Sequence, residues 1–216
     1  MKKLYDLVLW DWNGTLQDDL HHIYECGVQR IFRQFGLLCP SLDVFRNEVT
    51  ADFMVFYRKF GLPSHVAADE LNAIMSEGFK EKGKSADIFP DAYNTVRHMH
   101  DHGYHLVLVS AYDSVELQIA LDHSGLAPYF QKVLGDVRDK AEVFERLMIS
   151  YGVASPERTA VIGDSVSDGV AAKKVSATPF LCTRGFHSRE RIQGAKADIP
   201  SLIITDTLHD LLPHFP

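Results

Sequence analysis

The chain has 216 residues, of which 46% are hydrophobic and 24% charged, and its formal net charge is −7. That apolar share supplies a sizeable core, and the acidic balance argues against a nucleic-acid surface while leaving room for a local pocket holding one small phosphate. Cys26, Cys39 and Cys182 lie far apart and are odd in number, so no disulfide framework or metal-ligand spacing is expected and a reducing, cytoplasmic setting fits.

The first element is the apolar run Leu7-Val8-Leu9-Trp10, a strand buried on both faces that stops at Asp11-Trp12-Asn13-Gly14-Thr15. Asp6 and Asp11 interrupt the run and no small-residue cleavage site follows, so a signal peptide is not expected. Nothing in the chain approaches the ~18 apolar residues of a membrane span. Asn13-Gly14 suits a hairpin turn, but Thr15 to Asp19 has no alternating pattern for a returning strand. Gly14 instead suits a sharp turn that leaves neighbouring N–H groups open to an anion.

Three helical stretches follow. Asp18 or Asp19 caps the first, which carries Tyr24, Val28, Ile31 and Phe35 on one face and ends at Gly36 and Pro40. The second places Val49, Phe53, Phe56 and Phe60 at helical spacing, an aromatic stripe that reads as core, and stops at Gly61 and Pro63. The third starts on Ser64 as N-cap, turns Ala67, Leu71 and Ile74 inward and ends near Gly83. Consecutive amphipathic helices can bury one another's stripes, so residues 17–86 read as a separate helical unit, and residues 1–16 with 87–216 as the core.

Beyond Pro90 helices and strands alternate. Asp91 caps a helix through Val96 and Met99 that Gly103 closes, and Leu106 to Val109 is a strand ending at Ser110. Asp113 to Glu116 has the form of a capping box opening a helix with Leu117, Ala120, Leu121 and Ser124, up to Gly125. Lys132-Val133-Leu134 is a short strand, and Asp139-Lys140 opens a helix with Phe144, Leu147, Met148 and Tyr151 inward. Thr159 to Ile162 is a strand stopping at Gly163-Asp164, and a small helix runs from Asp168 to Val175. Pro179 to Cys182 and Ile203-Ile204 are strands, and a helix from Leu208 to Leu212 finishes the chain. This alternation implies an α/β fold with a doubly wound parallel sheet covered on both faces.

Strands one, two and four each end in a polar group: Asp11, Ser110, and Asp164 with Asp168 one helical turn later. Parallel strands put these ends on one edge, and Lys140 can join them from a helix start. The set suits phosphoryl transfer. Asp11 would attack phosphorus and form an aspartyl phosphate, while Ser110 and nearby N–H groups, that of Ala111 among them, would hold phosphate oxygens. Lys140 would offset charge, Asp164 would bind Mg²⁺, and Asp168 would hold a metal-bound water or Lys140.

These residues and their order resemble the haloacid dehalogenase superfamily, most closely its phosphoglycolate-phosphatase-like branch with a small helical cap. The family's Asp-x-Asp-Gly-Thr reads here Asp11-Trp12-Asn13-Gly14-Thr15. Its apolar strand ending in Ser or Thr matches Leu106 to Ser110, its lysine falls on Lys140, and its Gly-Asp-x-x-x-Asp matches Gly163-Asp164 to Asp168. The resemblance spans essentially the whole chain. It implies a Mg²⁺-dependent phosphatase of a small phosphorylated substrate, acting as a monomer or homodimer. It assigns Asp11, Asn13, Ser110 and Lys140 to catalysis, and Asp11, Asp164, Asp168 and the carbonyl at Asn13 to the metal. Gly14, Thr15, Ser110, Ala111 and Lys140 fall to the phosphate.

Asn13 departs from the family pattern. The family's second Asp protonates the leaving alkoxide and then activates water, and an amide can do neither. Three readings stand: a hydrolase whose substrate leaves easily or whose water is activated elsewhere, a weak or silent relative that binds a phosphorylated ligand, or an amide introduced to trap the intermediate. A phosphonatase would need a cap lysine; Lys59, Lys80, Lys82 and Lys84 are available but read as solvated. His98, His100 and His102 alternate on a helix and cannot share one ion. His21 and His22 follow the first motif and read as surface, or as a stand-in acid if they face the metal. Arg184 and Arg189 either touch ligand or stay solvated.

Overall fold

The computed structural model describes residues 3–82 and 87–216. The chain divides into two compact units, Met1–Asp18 with Asp87–Pro216, and Asp19–Ala86.

Six strands organise the first unit: β1 (Leu7–Trp10), β2 (His105–Val109), β3 (Lys132–Leu134), β4 (Thr159–Gly163), β5 (Thr178–Cys182) and β6 (Ile203–Thr205). All pair in parallel, in the order β3-β2-β1-β4-β5-β6, which bears out the expected doubly wound α/β sheet. Successive strand residues face opposite ways. Val8 and Trp10 therefore pack with Leu106, Leu108, Ile162 and Phe180 on one face, while Leu7 and Leu9 pack with Val107, Val109 and Val161 on the other. Sequence order reverses between β1 and β4, and Trp10 registers with both Leu108 and Ile162. Asp11, Ser110 and Asp164 thus leave their strands at one carboxyl edge, the place where open α/β sheets bind ligands.

The second unit contains α1 (Leu20–His22), a π-helical stretch Ile23–Val28, α2 (Gln29–Gln34), α3 (Leu42–Glu48), α4 (Phe53–Lys59) and α5 (Ala68–Lys82). It differs from the three expected helices in each case. The π turn adds a residue to the helical repeat and rotates the face, so Ile31 and Phe32 are buried while Phe35 is only half-buried. The second stretch begins at Phe53, not Val49: Val49 is the extended residue that closes a separate helix, α3, which Ser41 caps by accepting from the Val44 N–H (3.3 Å), and Asp52 caps the stretch itself by accepting from the Met54 N–H (3.1 Å). Phe56 is buried there, with Phe53 and Phe60 half-buried. The third helix starts at Ala68, not at Ser64, because Arg58 gathers the carbonyls of Leu62, Pro63 and Val66 and holds that segment as a turn. Ala67 is exposed as a result, Leu71 is buried and Ile74 half-buried. The end expected near Gly83, like Lys84, lies outside the described residues. Gly78 lets α5 approach the π stretch closely: a Cβ there would stand 2.1 Å from the Cys26 carbonyl oxygen.

The remaining helices are α6 (Ala92–Asp101), α7 (Ser114–Ser124), α8 (Lys140–Ser150), α9 (Val166–Lys174) and α10 (Arg189–Gly194). Asp113 and Asp139 cap α7 and α8 as expected. Asp91 does not cap α6 with its side chain. Its carboxylate instead binds Arg184 at 2.6 Å and accepts the Leu208 N–H at 2.9 Å. The ninth helix begins at Val166, not Asp168, because Ser165 and Asp168 form a reciprocal capping box. Its successor, α10, was not expected from periodicity; Ser188 caps it. The closing helix is a 3₁₀ stretch, His209–His214.

Around the junctions of the two units the first unit forms a short ribbon. The Phe89 N–H donates to the Leu16 carbonyl (2.9 Å), the Asp18 N–H to the Asp87 carbonyl (2.8 Å), and Gln17 bridges Ile88 antiparallel. Among the described residues, no helix is long and apolar enough to cross a membrane.

Candidate active site

Asp11 is the residue directly after β1, and its N–H continues the ladder to the Ile162 carbonyl at 2.9 Å. From the first turn of α8, the Lys140 ammonium lies 2.8 Å from Asp11 Oδ1 and 2.6 Å from Asp168 Oδ1. Asp164, directly after β4, completes a group in which one carboxylate oxygen each from Asp11, Asp164 and Asp168 lies within 4.8 Å of the others. Asp164 and Asp168 are both 1% exposed.

Each carboxylate is held in place. Thr15 Oγ1 donates to Asp164 Oδ1 at 3.2 Å and the Phe186 N–H donates to Asp164 Oδ2. Ser165 donates to Asp168 Oδ2 through its hydroxyl (2.6 Å) and its N–H (3.2 Å). Two glycines make room for this packing, since a Cβ at Gly14 or at Gly185 would stand 2.2 Å from Asp164 Oδ2.

Burial pushes Asp11 up to about 6, opposed by the Lys140 charge and reinforced by that of Asp168. Burial would also lower Lys140, but the charges of Asp11 and Asp168 outweigh it and hold the ammonium above its ordinary range. For Asp168, burial is outweighed by the Lys140 charge and by hydrogen bonds from Lys140 and Ser165, and the group sits below the usual carboxylate value. Three crowded carboxylates against one ammonium leave an excess of negative charge. An all-oxygen cluster with that excess fits a hard divalent cation, so the residues present suit a metal.

Ser110 is buried at the end of β2, next to β1 in the sheet, and its Oγ accepts the Tyr112 N–H at 3.2 Å; Ala111 is exposed. The turn at Asn13 is no hairpin. Gly14 takes φ +69° and the Trp12 carbonyl accepts from Thr15, Leu16 and Gln17. The N–H groups of Gly14 and Thr15 are not open as expected: Gly14 donates to the Gln17 carbonyl (3.0 Å) and Thr15 to the Trp12 carbonyl (3.2 Å). A loop this tight closes on its own backbone before it can offer donors outward.

The chain's sequence matches the pattern of the haloacid dehalogenase-like hydrolase family over residues 5–176. The chain belongs to the haloacid dehalogenase-like hydrolases. The resemblance read from the four motifs is thereby borne out, and the chain is an enzyme of the hydrolase class. Its relatives include the phosphoglycolate phosphatase of Vibrio parahaemolyticus, 24% identical over 95% of this chain and 94% of that one. That of Salmonella paratyphi A is 32% identical over 58% of this chain and 50% of that one. A predicted phosphoglycolate phosphatase from Haemophilus somnus superposes with a TM-score of 0.76 at 18% identity, covering 99% of each chain. A predicted phosphatase from Clostridium acetobutylicum gives 0.76 at 24% identity, covering 97% of each.

In this haloacid dehalogenase-like chain the other sequence candidates resolve differently. Arg184 pairs with Asp91 and lies 3.7 Å over the Phe89 ring, and Arg189 pairs with Asp206. His22, in the helical unit, stacks on Phe79 and lies 3.6 Å from Cys26 Sγ; His21 is exposed. His98 bonds the Phe215 carbonyl and stacks on His102, and Lys59 pairs with Glu48. Sequence reasoning missed the supports of the carboxylates: Ser165, Gly185, Phe186 and His187. Ser165-x-x-Asp168 was visible as a capping box in outline, whereas a main-chain N–H such as that of Phe186 leaves no signature in residue type.

Proposed function

We propose that this chain hydrolyses small phosphorylated metabolites through an aspartyl phosphate on Asp11, with Mg²⁺ as cofactor and Asn13 in place of the usual acid–base residue. The observation that carries this is the Asp11 carboxylate at the end of β1, 2.8 Å from the Lys140 ammonium and clustered with Asp164 and Asp168. Asp11, Asp164 and the carbonyl at Asn13 would hold Mg²⁺, with Asp168 reaching it directly or through water; bound there, it supplies positive charge for phosphoryl oxygens. Asp11 attacks phosphorus, the bond to the leaving oxygen breaks, and water then cleaves the acyl phosphate to give back the carboxylate and inorganic phosphate. Lys140 orients Asp11 and offsets charge as phosphate arrives. Ser110 and the Ala111 N–H take phosphate oxygens, while the Gly14-Thr15 turn, whose N–H groups close on its own backbone, shapes the loop beside them. The helical stretch 17–86 acts as a cap that selects substrate and limits water to the attacking molecule. Relatives named phosphoglycolate phosphatase support the substrate class, and free Cys26, Cys39 and Cys182 fit a cytoplasmic setting.

Asn13 shapes which phosphates turn over. Its amide exchanges no proton, so the water that cleaves the aspartyl phosphate takes its base from elsewhere, and a poor leaving group loses a further factor of about 10²–10⁴ in rate, or about 3–5 kcal/mol of barrier. Acyl and aryl phosphates, which leave unaided, are the favoured substrates. A panel of acyl, aryl and alkyl phosphates with and without Mg²⁺ tests this on wild type, Asp11→Asn and Asn13→Asp. One activated phosphate turns over in wild type and stops in Asp11→Asn, and alkyl phosphates gain about 10²–10⁴ in Asn13→Asp. Asn13 also favours a second reading, a phospho-ligand binder without turnover. In that case no compound reacts until the acid is restored.

A further inference from the structure

We propose that His187 is a positioning residue for Asp164 and Asp168, and that it acts through the lone pair of its Nδ1. This rests on reading those two carboxylates as the groups that hold a divalent cation. His187 follows β5 and is 4% exposed. The Val166 N–H, the first of α9, donates to its Nδ1 at 2.8 Å. Its own N–H donates to the Asp164 carbonyl at 3.4 Å, while the N–H of the preceding Phe186 donates to the Asp164 carboxylate. Gly185, one residue earlier, backs onto the same side chain.

Residues 185–187 therefore grip Asp164 at its carboxylate and its carbonyl, and grip the chain again two residues later at Val166. Between those points the backbone turns from β4 into α9. The first N–H groups of a helix have no partner inside it, and here they are shared out: Ser165 Oγ accepts from Asp168, Asp168 Oδ2 accepts from Ser165, and the imidazole accepts from Val166. Loss of the imidazole acceptor frees Val166 to tilt, and the turn that sets the angle between Asp164 and Asp168 loosens with it. A ring nitrogen that accepts an N–H carries no hydrogen, so His187 is the tautomer protonated on Nε2.

The atom concerned dictates the test. In asparagine Oδ1 stands two bonds from Cβ, as Nδ1 does in histidine, and it accepts hydrogen bonds. In glutamine the acceptor stands one bond further out. Leucine fills similar space and accepts nothing. Mg²⁺ affinity is measured by calorimetry on the full chain for wild type and for His187→Asn, His187→Gln, His187→Leu and His187→Ala, with urea unfolding of each in chelator. The expected result is a dissociation constant within about twofold of wild type for Asn and about 10–100-fold weaker for Gln, Leu and Ala, the range seen when outer partners of metal ligands are lost. Nitrogen NMR of the metal-free protein should find His187 Nδ1 unprotonated. Equal Mg²⁺ affinity across the set, Leu binding as well as Asn, or a proton on Nδ1 overturns the assignment while leaving the metal reading intact. Wild type that binds no Mg²⁺ overturns both.

Discussion

Gly185 backs onto the site from the loop after β5, and replacing it with alanine tests how rigidly Asp164 is held. The added Cβ would stand 2.2 Å from Asp164 Oδ2, 2.4 Å from the Gly14 carbonyl oxygen and 2.5 Å from Asp164 Cβ. Ordinary contact begins near 3.4 Å, so something must yield by about 1 Å. The carboxylate cannot swing aside freely, because Thr15 and the Phe186 N–H pin its two oxygens. The other neighbour is main chain. Overpacking of this kind costs about 1–3 kcal/mol, which in a chain of this size lowers Tm by about 2–12 °C. A 1 Å displacement of a positioned group costs on the order of 10²-fold in rate. Calorimetric melting in chelator, Mg²⁺ titration and steady-state turnover on the best substrate measure the three effects. Gly185→Ala with a Tm within about 1 °C of wild type and unchanged Mg²⁺ affinity and turnover would refute the packing argument.

Three further outcomes follow from the same geometry. Lys140→Met leaves Asp11 and Asp168 without their shared cation and costs about 3–5 kcal/mol in chelator, as loss of one partner from a buried ion pair does. The urea midpoint should fall more at pH 8 than at pH 5, since Asp11, already raised to about 6, takes up a proton at the lower value. Asp91→Asn weakens the link to Arg184 and costs about 1.5–3 kcal/mol at neutral pH. Burial raises the Asp91 carboxyl, but Arg184 outweighs it and holds the group below 3.8. Its contribution is thus fully present above that value, and wild type and variant converge only as pH falls below 3.8 and through the lowered value. Gly78→Ala drives a Cβ to 2.1 Å from the Cys26 carbonyl oxygen and costs about 1–3 kcal/mol, read as faster amide exchange in α5 and the π stretch.

Much of the first unit was legible because its signals are local and agree with one another. Leu7 to Trp10 and Leu106 to Val109 are unbroken apolar runs of strand length, and each stops at a polar residue. The parallel order then brings Asp11, Lys140, Asp164 and Asp168 together from positions far apart in the chain. Ser165 and Asp52 were missed as caps because a single serine or aspartate in the sequence looks the same whether it caps a helix or holds a turn. The helical unit was harder to read. One extra residue in the π stretch exchanged Phe35 for Phe32, and Arg58 overrode the start signal at Ser64 through carbonyls it reaches only in the folded chain. Asp91 failed as a cap for a like reason: a guanidinium 93 residues away claims its carboxylate.

The ribbon that joins Leu16–Asp18 to Asp87–Phe89 has a consequence for tolerance to change. The polypeptide departs from the sheet-bearing unit and re-enters it at hydrogen-bonded neighbours, so β1 and β2 do not sense how much sequence lies in between. Lengthening or trimming that excursion alters closure entropy by only about 0.6 kcal/mol per doubling. Whole modules can therefore be exchanged at this seam while Asp11 and Ser110 keep their stations.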